Sequence, residues 1–306
     1  MCMLFVNNNT DAKDDEYAMT ILSIRDESYD RPTRSTQTWS SNPAIFGGMD
    51  MEEGREGGTW MALNRDMNKL AMVLRILRPL GGKVTTASNT RGFLVPRFMD
   101  SSLSGSEYLE SIVEDCDDYP AYSLVTFDLN QPKNGENNEV SYFCNVEPTM
   151  PSIADDSQIL AFSNNRPHKL WQKTEVGRDY FRDITQKYPK KSQKAGLISQ
   201  LFIFASDDTQ HYPDPVLDED GSGYELEYLQ GISSINCKIP LFQTGTRTQT
   251  VILIDKVGNV EWIERDLSED NLKIRGNKYA EWPTKKFDLR LNSRSANNQS
   301  YITSHL

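Results

Sequence analysis

The 306-residue sequence predicts a layered α+β fold, and three observations carry that prediction. Strand-length apolar runs dominate the first quarter, helix-spaced runs occupy the middle, and strands return toward the end. Strands and helices do not alternate regularly, which disfavours a doubly wound parallel sheet, and no internal repeat signals a solenoid or propeller. No Pro-, Gly- or Ser-rich linker divides the chain. Residues 1–291 are therefore expected to form one domain, with a flexible tail over residues 292–306.

In chain order, Cys2 to Val6, Tyr17 to Ile24, Gly58 to Leu63 and Lys69 to Leu77 read as strands. Between them, Gly47-Gly48-Met49-Asp50, Gly54 and Gly57-Gly58 read as sharp bends, because a residue without a β-carbon turns where others clash. These glycines match neither GxGxxG nor GxxxxGK[ST], so a nucleotide-phosphate cradle is unsupported. From Ser106, the spacing of Leu109, Ile112, Val113 and Cys116 predicts a helix with Glu110, Glu114 and Asp115 outward, closed by Pro120. Tyr122 to Leu129 and Val140 to Val146 read as a hairpin around Asn134-Gly135. Two further helices are expected, one holding Val176, Phe181 and Ile184, the other Leu197, Ile198, Leu201 and Phe202. Ser206 to Gly223 is acidic and rich in Pro and Gly, and reads as a solvated loop insertion or flap. Ile235 to Phe242, Thr248 to Asp255 and Asn259 to Arg265 read as strands, the last two joined at Val257-Gly258.

Composition bounds the function. With 37% apolar and 25% charged residues and a mean hydropathy of −0.60, the chain has the make-up of a soluble globular protein. No apolar run approaches the roughly 18 residues of a membrane span. A formal charge of −11 argues against indiscriminate binding to nucleic acid or anionic membrane. Cys2, Cys116, Cys144 and Cys237 form no CxxC pair or disulfide framework, which suits a reducing compartment, and no metal site is expected. The apolar start, Cys2 to Val6, is too short for a signal-peptide core, and Asp11, Asp14, Asp15 and Glu16 spoil a transit peptide.

Cys2 is the most informative residue. Loss of Met1 would place a thiol and a free α-amine on one residue, and an amine titrating near ~8 can take the proton of a thiol titrating near ~8.5. With only three histidines, such a self-contained nucleophile is favoured over a Cys-His pair. The same Cys2 also suits the start of a buried strand as a small apolar residue.

Met1-Cys2, then Arg25-Asp26-Glu27, then Gly57-Gly58-Thr59-Trp60 carry a resemblance. This order is similar to that of the NRDE family, and within it the transport and Golgi organization protein 2 group. Leu160 to Asn164 followed by Leu170 to Lys173, and Gly245 to Thr250, resemble two later blocks, so the resemblance runs from residue 2 to about residue 266. Ile24 departs from the pattern, standing where the Asn of Asn-Arg-Asp-Glu is usual.

The resemblance implies an N-terminal-nucleophile-hydrolase-like four-layer sandwich, two stacked, mainly antiparallel sheets flanked by helices. It also implies a site of Cys2, Arg25, Asp26, Asn164 and Arg247, active or vestigial. In such a site a guanidinium favours thiolate, an aspartate holds the terminal ammonium and an Asn amide donates to an oxyanion. Arg25-Asp26 also suits an ion pair, Asn164 a turn and Arg247 a solvated hairpin. Gly57, Gly58, Thr59 and Trp60 offer bare backbone beside an aromatic wall, or a turn feeding a core strand.

The function implied is a soluble haem chaperone that moves haem, as cargo and not as a catalytic cofactor, out of storage or synthesis compartments. Its partners would be haem, haem transporters and organelle membranes touched transiently, and its setting the cytoplasm, with mitochondrial or Golgi association as alternatives. The rival readings are a Cys2-dependent amidase and an acyl-lipid or acyl-CoA binding protein. His168 is the candidate haem contact near Asn164. Eight of the ten methionines fall within the first 72 residues, a soft lining for cargo or ordinary core. Arg75, Arg78 and Lys83, and Lys187, Lys190, Lys191 and Lys194, could meet propionates or a membrane, or form a solvated face.

Overall fold

A computed structural model describes residues 2–81, 89–129, 138–147, 150–154, 159–266 and 283–292. Its elements are β1 (Cys2–Asn8), β2 (Tyr17–Ser28), β3 (Thr33–Thr38), β4 (Ile45–Asp50), β5 (Met61–Asn64), β6 (Lys69–Arg75), α1 (Leu94–Asp100) and α2 (Gly105–Ser111). There follow β7 (Tyr122–Asp128), β8 (Glu139–Cys144), β9 (Ser152–Ile153), β10 (Ile159–Phe162), α3 (Gln172–Lys187), α4 (Lys194–Ala205), α5 (Pro215–Asp220) and α6 (Leu226–Ile232). The chain closes with β11 (Lys238–Ile239), β12 (Thr244–Asp255), β13 (Asn259–Asp266) and β14 (Thr284–Arg290).

The fold is mixed α+β, with two antiparallel sheets flanked by helices. One sheet runs β10-β1-β2-β12-β13-β14 with β11 on β12, the other β3 through β9 in sequence order. The reason lies in β1, whose residues are apolar on both faces. Alternate side chains point to opposite sides of a strand. Leu4 and Val6 meet Met61, Leu63, Leu70 and Met72 of the other sheet, while Met3 and Phe5 meet Phe181, Leu197, Leu201 and Phe202 of α3 and α4. Phe5 lies on Gly177 of α3, where a β-carbon would come within 2.8 Å of its ring. On the far side of the second sheet, Ala62, Ala71 and Leu124 pack on Leu94, Phe98 and Leu109 of α1 and α2.

Several expectations are corrected. The segment Gly47-Gly48-Met49-Asp50 is not a bend but belongs to β4, where Gly47 accepts a hydrogen bond from the Trp39 indole and gives the chain close passage past β5. The helix read from Ser106 ends at Ser111, since Ile112 caps it and Cys116 sits in a separate 3-10 turn. Residues 206–223 are not all loop. Asp214 accepts from the Val216 and Leu217 amides and Pro215 opens the first turn, which starts α5, and Leu217 is buried. The strand expected over Ile235 to Phe242 shrinks to two residues because Pro240 opens a 3-10 turn. Val176 faces solvent, and Gly177 takes its place against the sheet. The hairpin β7–β8 pairs antiparallel, but its Asn134-Gly135 turn, like Lys83 and most of the 292–306 tail, lies outside the described residues.

Leu4 is wholly buried between the sheets. Leu4→Ala should therefore cost about 2–5 kcal/mol of stability, read as a lowered urea midpoint at unchanged slope.

Candidate functional site

Where the strand ends of the two sheets part, a cleft of about 410 Å³ opens, lined by Cys2, Arg25, Asp26, Trp60, Arg75 and Arg91 among others. Its position follows from register. Cys2 pairs directly with Arg25 across β1 and β2, and directly opposed residues on one face lie within side-chain reach. The Arg25 guanidinium stacks 4.0 Å from the centre of the Trp60 ring, donates to Thr33 Oγ1 at 3.4 Å and lies 3.8 Å from Glu27. Its Nη1 is buried and finds no hydrogen-bond partner among the described residues.

Asn164 sits just past β10, which pairs with β1. Its Oδ1 accepts from the Cys2 nitrogen at 3.2 Å, and its Nδ2 donates to the Arg75 carbonyl at 2.7 Å. The amide is thus committed at both ends. It positions the Cys2 nitrogen, and the expected oxyanion donor is not what this geometry provides. Burial pushes the Cys2 thiol up from its ordinary value.

Asp26, next to Arg25 along β2, turns to the other side of the strand, as the alternation demands. Its Oδ1 accepts from Thr246 Oγ1 at 2.6 Å, and that hydroxyl in turn accepts from the Cys237 amide at 2.8 Å. Behind it the Cys237 thiol is pushed up to about 12, by burial first and by the Asp26 charge second. Lys173, also buried, donates to the Ser234 carbonyl at 3.1 Å.

Other candidates lie elsewhere. Arg247 occupies a bulge of β12 and donates to the Ser28 and Arg31 carbonyls at 2.9 and 2.7 Å; it staples the β2–β3 turn and does not line the cleft. His168 lies beside Tyr142 on a separate depression of about 10 Å³, so the expected proximity to the Asn164 pocket is not realised. Met3, Met19, Met61 and Met72 are core, and no methionine lines the cleft. Gly57, with φ +88°, and Gly58 shape the turn after β4, while Thr59 and Trp60 reach the cleft wall. The Thr59 amide donates to the Gly92 carbonyl at 2.9 Å, which fixes residues 91–93 beside it. Lys190, Lys191 and Lys194 are paired with Asp15, Asp255 and Glu261.

Reading along the chain missed Arg91, Arg55 and Arg31 as cleft residues. Arg31 binds Asp50 through two contacts of 3.2 and 2.6 Å. Burial, with Arg75 second, brings Arg91 down to about 10. No spacing announces them; only the meeting of the β2–β3 turn, the β4–β5 turn, the end of β6 and residues 89–92 does.

The family model described as Transport and Golgi organisation 2 matches residues 1–269. The chain is 28% identical to the Transport and Golgi organization protein 2 homolog of Bos taurus over 96% of its length and all of the relative's. It is 26% identical to the Homo sapiens homolog over the same shares. To Transport and Golgi organization protein 2 of Drosophila melanogaster it is 27% identical, over 88% of this chain and 93% of that protein.

Trp60 lies flat on Gly48, where a β-carbon would come within 2.3 Å of the indole. Gly48→Ala should therefore displace Trp60 from its stack with Arg25 at a cost of about 1–3 kcal/mol, seen as a shifted tryptophan emission and a lower thermal midpoint.

Proposed function

The chain belongs to the Transport and Golgi organisation 2 family, and from that premise and the cleft we propose that it is an NRDE-type protein with an N-terminal-nucleophile-hydrolase-like fold, acting through Cys2 on an amide. The observation that carries this reading is the Cys2 nitrogen held on Asn164 Oδ1 at 3.2 Å while its side chain shares a cleft with Arg25. Residues 1–291 are taken as one folding domain.

With Met1 removed, that nitrogen is an α-amine titrating near ~8. The Asn164 carbonyl orients it, and it takes the thiol proton as Sγ adds to the substrate carbonyl carbon. The carbonyl electron pair becomes an oxyanion, which the free Nη1 of Arg25 is suited to receive. The ammonium then protonates the departing amine as the C–N bond breaks, leaving a thioester on Cys2. Water, losing its proton to the same amine, releases the acid and restores the thiol. Asp26, paired with Thr246, holds negative charge close to this exchange.

A second reading, the haem carrier implied by the family resemblance, is favoured by one observation: the Trp60 indole and its stacked guanidinium offer a flat cationic wall to an anionic ring. The cleft's remaining lining is chiefly charged and polar, which suits a small polar substrate better than a porphyrin face. For setting we take the cytosol with Golgi association, following the relatives' names. Among the described residues no helix is long and apolar enough to cross a membrane.

The test uses protein with and without Met1. Removal of Met1 should raise the alkylation rate of Cys2 by iodoacetamide at pH 7.5 at least tenfold, because an intact peptide nitrogen cannot act as base and the buried thiol stays protonated. Chromogenic acyl anilides should leave an acyl mass on Cys2 that Cys2→Ala lacks. Equal alkylation rates, with no acyl adduct, would sink the amidase; a saturable Soret shift at one equivalent of ferric haem under those conditions would establish the carrier.

A further inference from the structure

The cleft holds five arginines, Arg25, Arg31, Arg55, Arg75 and Arg91, against three carboxylates, in a chain of net charge −11. The carboxylates are already engaged. Asp50 is clasped by Arg31, Glu27 lies between Arg25 and Arg31, and Asp26 is held by Thr246. Among the described residues no ion pair reaches Arg55, Arg75 or Arg91. A buried and unsatisfied donor, Arg25 Nη1, opens the same region.

Leaving guanidiniums together without anions is costly when water is partly excluded. At Arg91 burial and the charge of Arg75 both work against the cation, and the charge of Glu27 offsets part of this. The main chain that carries the three arginines is fixed in place, with Arg55 and Arg75 exposed at the mouth and Arg91 half-buried. Arg75 ends β6, its carbonyl held by Asn164. Arg91 precedes Gly92, which is tied to Thr59. Arg55 belongs to the turn whose carbonyl accepts from Gly58. A planar guanidinium fork matches the oxygens of a carboxylate or phosphate, and converging forks make a selective oxyanion site.

We propose that Arg75 and Arg91, with Arg55 at the rim, form an oxyanion subsite, so that the small molecule received at Cys2 carries a carboxylate or phosphate group. The subsite rests on the Cys2 reading for its orientation: the anionic end sits on these arginines while the carbonyl faces the thiol. The cleft's volume of about 410 Å³ suits a compact ligand, near the low end of the usual ~300–1,000 Å³.

Calorimetry at constant ionic strength tests it, with succinate, its neutral counterpart succinamide, and inorganic phosphate as probes of the full chain. Succinate or phosphate should bind at one site at least tenfold more tightly than succinamide, and whichever binds more tightly identifies the group. Arg91→Gln and Arg75→Gln should each weaken that binding about tenfold or more, while Lys190→Gln, which only breaks the surface pair with Asp15, should not. Thermal unfolding of each variant confirms that the fold persists; if Arg91→Gln does not fold, Arg75→Gln decides. Equal affinity for succinate and succinamide, or binding unchanged in both arginine variants, overturns the subsite and leaves the chemistry of Cys2 standing. Anion binding retained in a protein whose Cys2 neither alkylates faster nor acylates overturns the amidase and leaves the subsite.

Discussion

One buried carboxamide holds the site together. Asn164 receives the Cys2 nitrogen from one sheet and donates to the Arg75 carbonyl at the end of the other, and its own carbonyl accepts from the Leu77 amide at 2.7 Å. Further into the fold, the sheets are joined by apolar packing around Leu4, Leu63 and Met72, which has no directional demand and tolerates small shifts. At the strand ends that packing gives way to polar groups. There the directed hydrogen bonds of Asn164 tie β1 to the end of β6, adding to the ladder that pairs Cys2 with Arg25. An isosteric carboxylate would meet the Arg75 carbonyl with an acceptor in place of a donor, and the two oxygens would repel.

The division of labour across β2 follows from strand geometry. Arg25 and Asp26 are neighbours in sequence, and successive side chains on a strand face opposite ways. Arg25 joins the inter-sheet space with Cys2 and Trp60, whereas Asp26 joins the Thr246–Cys237 cluster on the side of Lys173. The acid's carboxylate is thereby tied to Thr246 and not to the Arg25 guanidinium, although its charge still reaches the Cys2 thiol. The neighbouring Glu27 does approach Arg25, but at 3.8 Å and shared with Arg31, so the cation remains only partly compensated.

Much of this was legible in the chain. The runs of β1, β2, β6 and β7 are apolar on both faces because both faces are covered, and they read directly as strands. Among the missed strands, β3 is polar with only Thr36 buried, β4 carries two glycines that admit Trp60 and β5, β14 is a charged outer strand, and β9 and the apolar β10 are only two and four residues long. The acidic 206–223 stretch concealed a helix whose start is set by one cap and one proline. At the site, Cys2, Arg25, Asp26 and Asn164 could be named from terminal chemistry and family resemblance, while the committed amide of Asn164 and the bulged position of Arg247 are tertiary facts. No local pattern separates Arg75 or Arg91 from an ordinary solvated arginine.

The distribution of acids sharpens the meaning of that cleft. The chain has 44 acidic and 33 basic residues, so carboxylates are not scarce. Elsewhere they are used freely: Arg166 alone meets Glu147, Glu219 and Asp220. Uncompensated arginines gathered at one opening, in an acidic protein, therefore reflect placement and not supply. A cavity walled by protein focuses their field toward its mouth, where it draws in anions that the rest of the surface repels. On the proposed subsite, an anion bound there would offset the repulsion between half-buried Arg91 and Arg75.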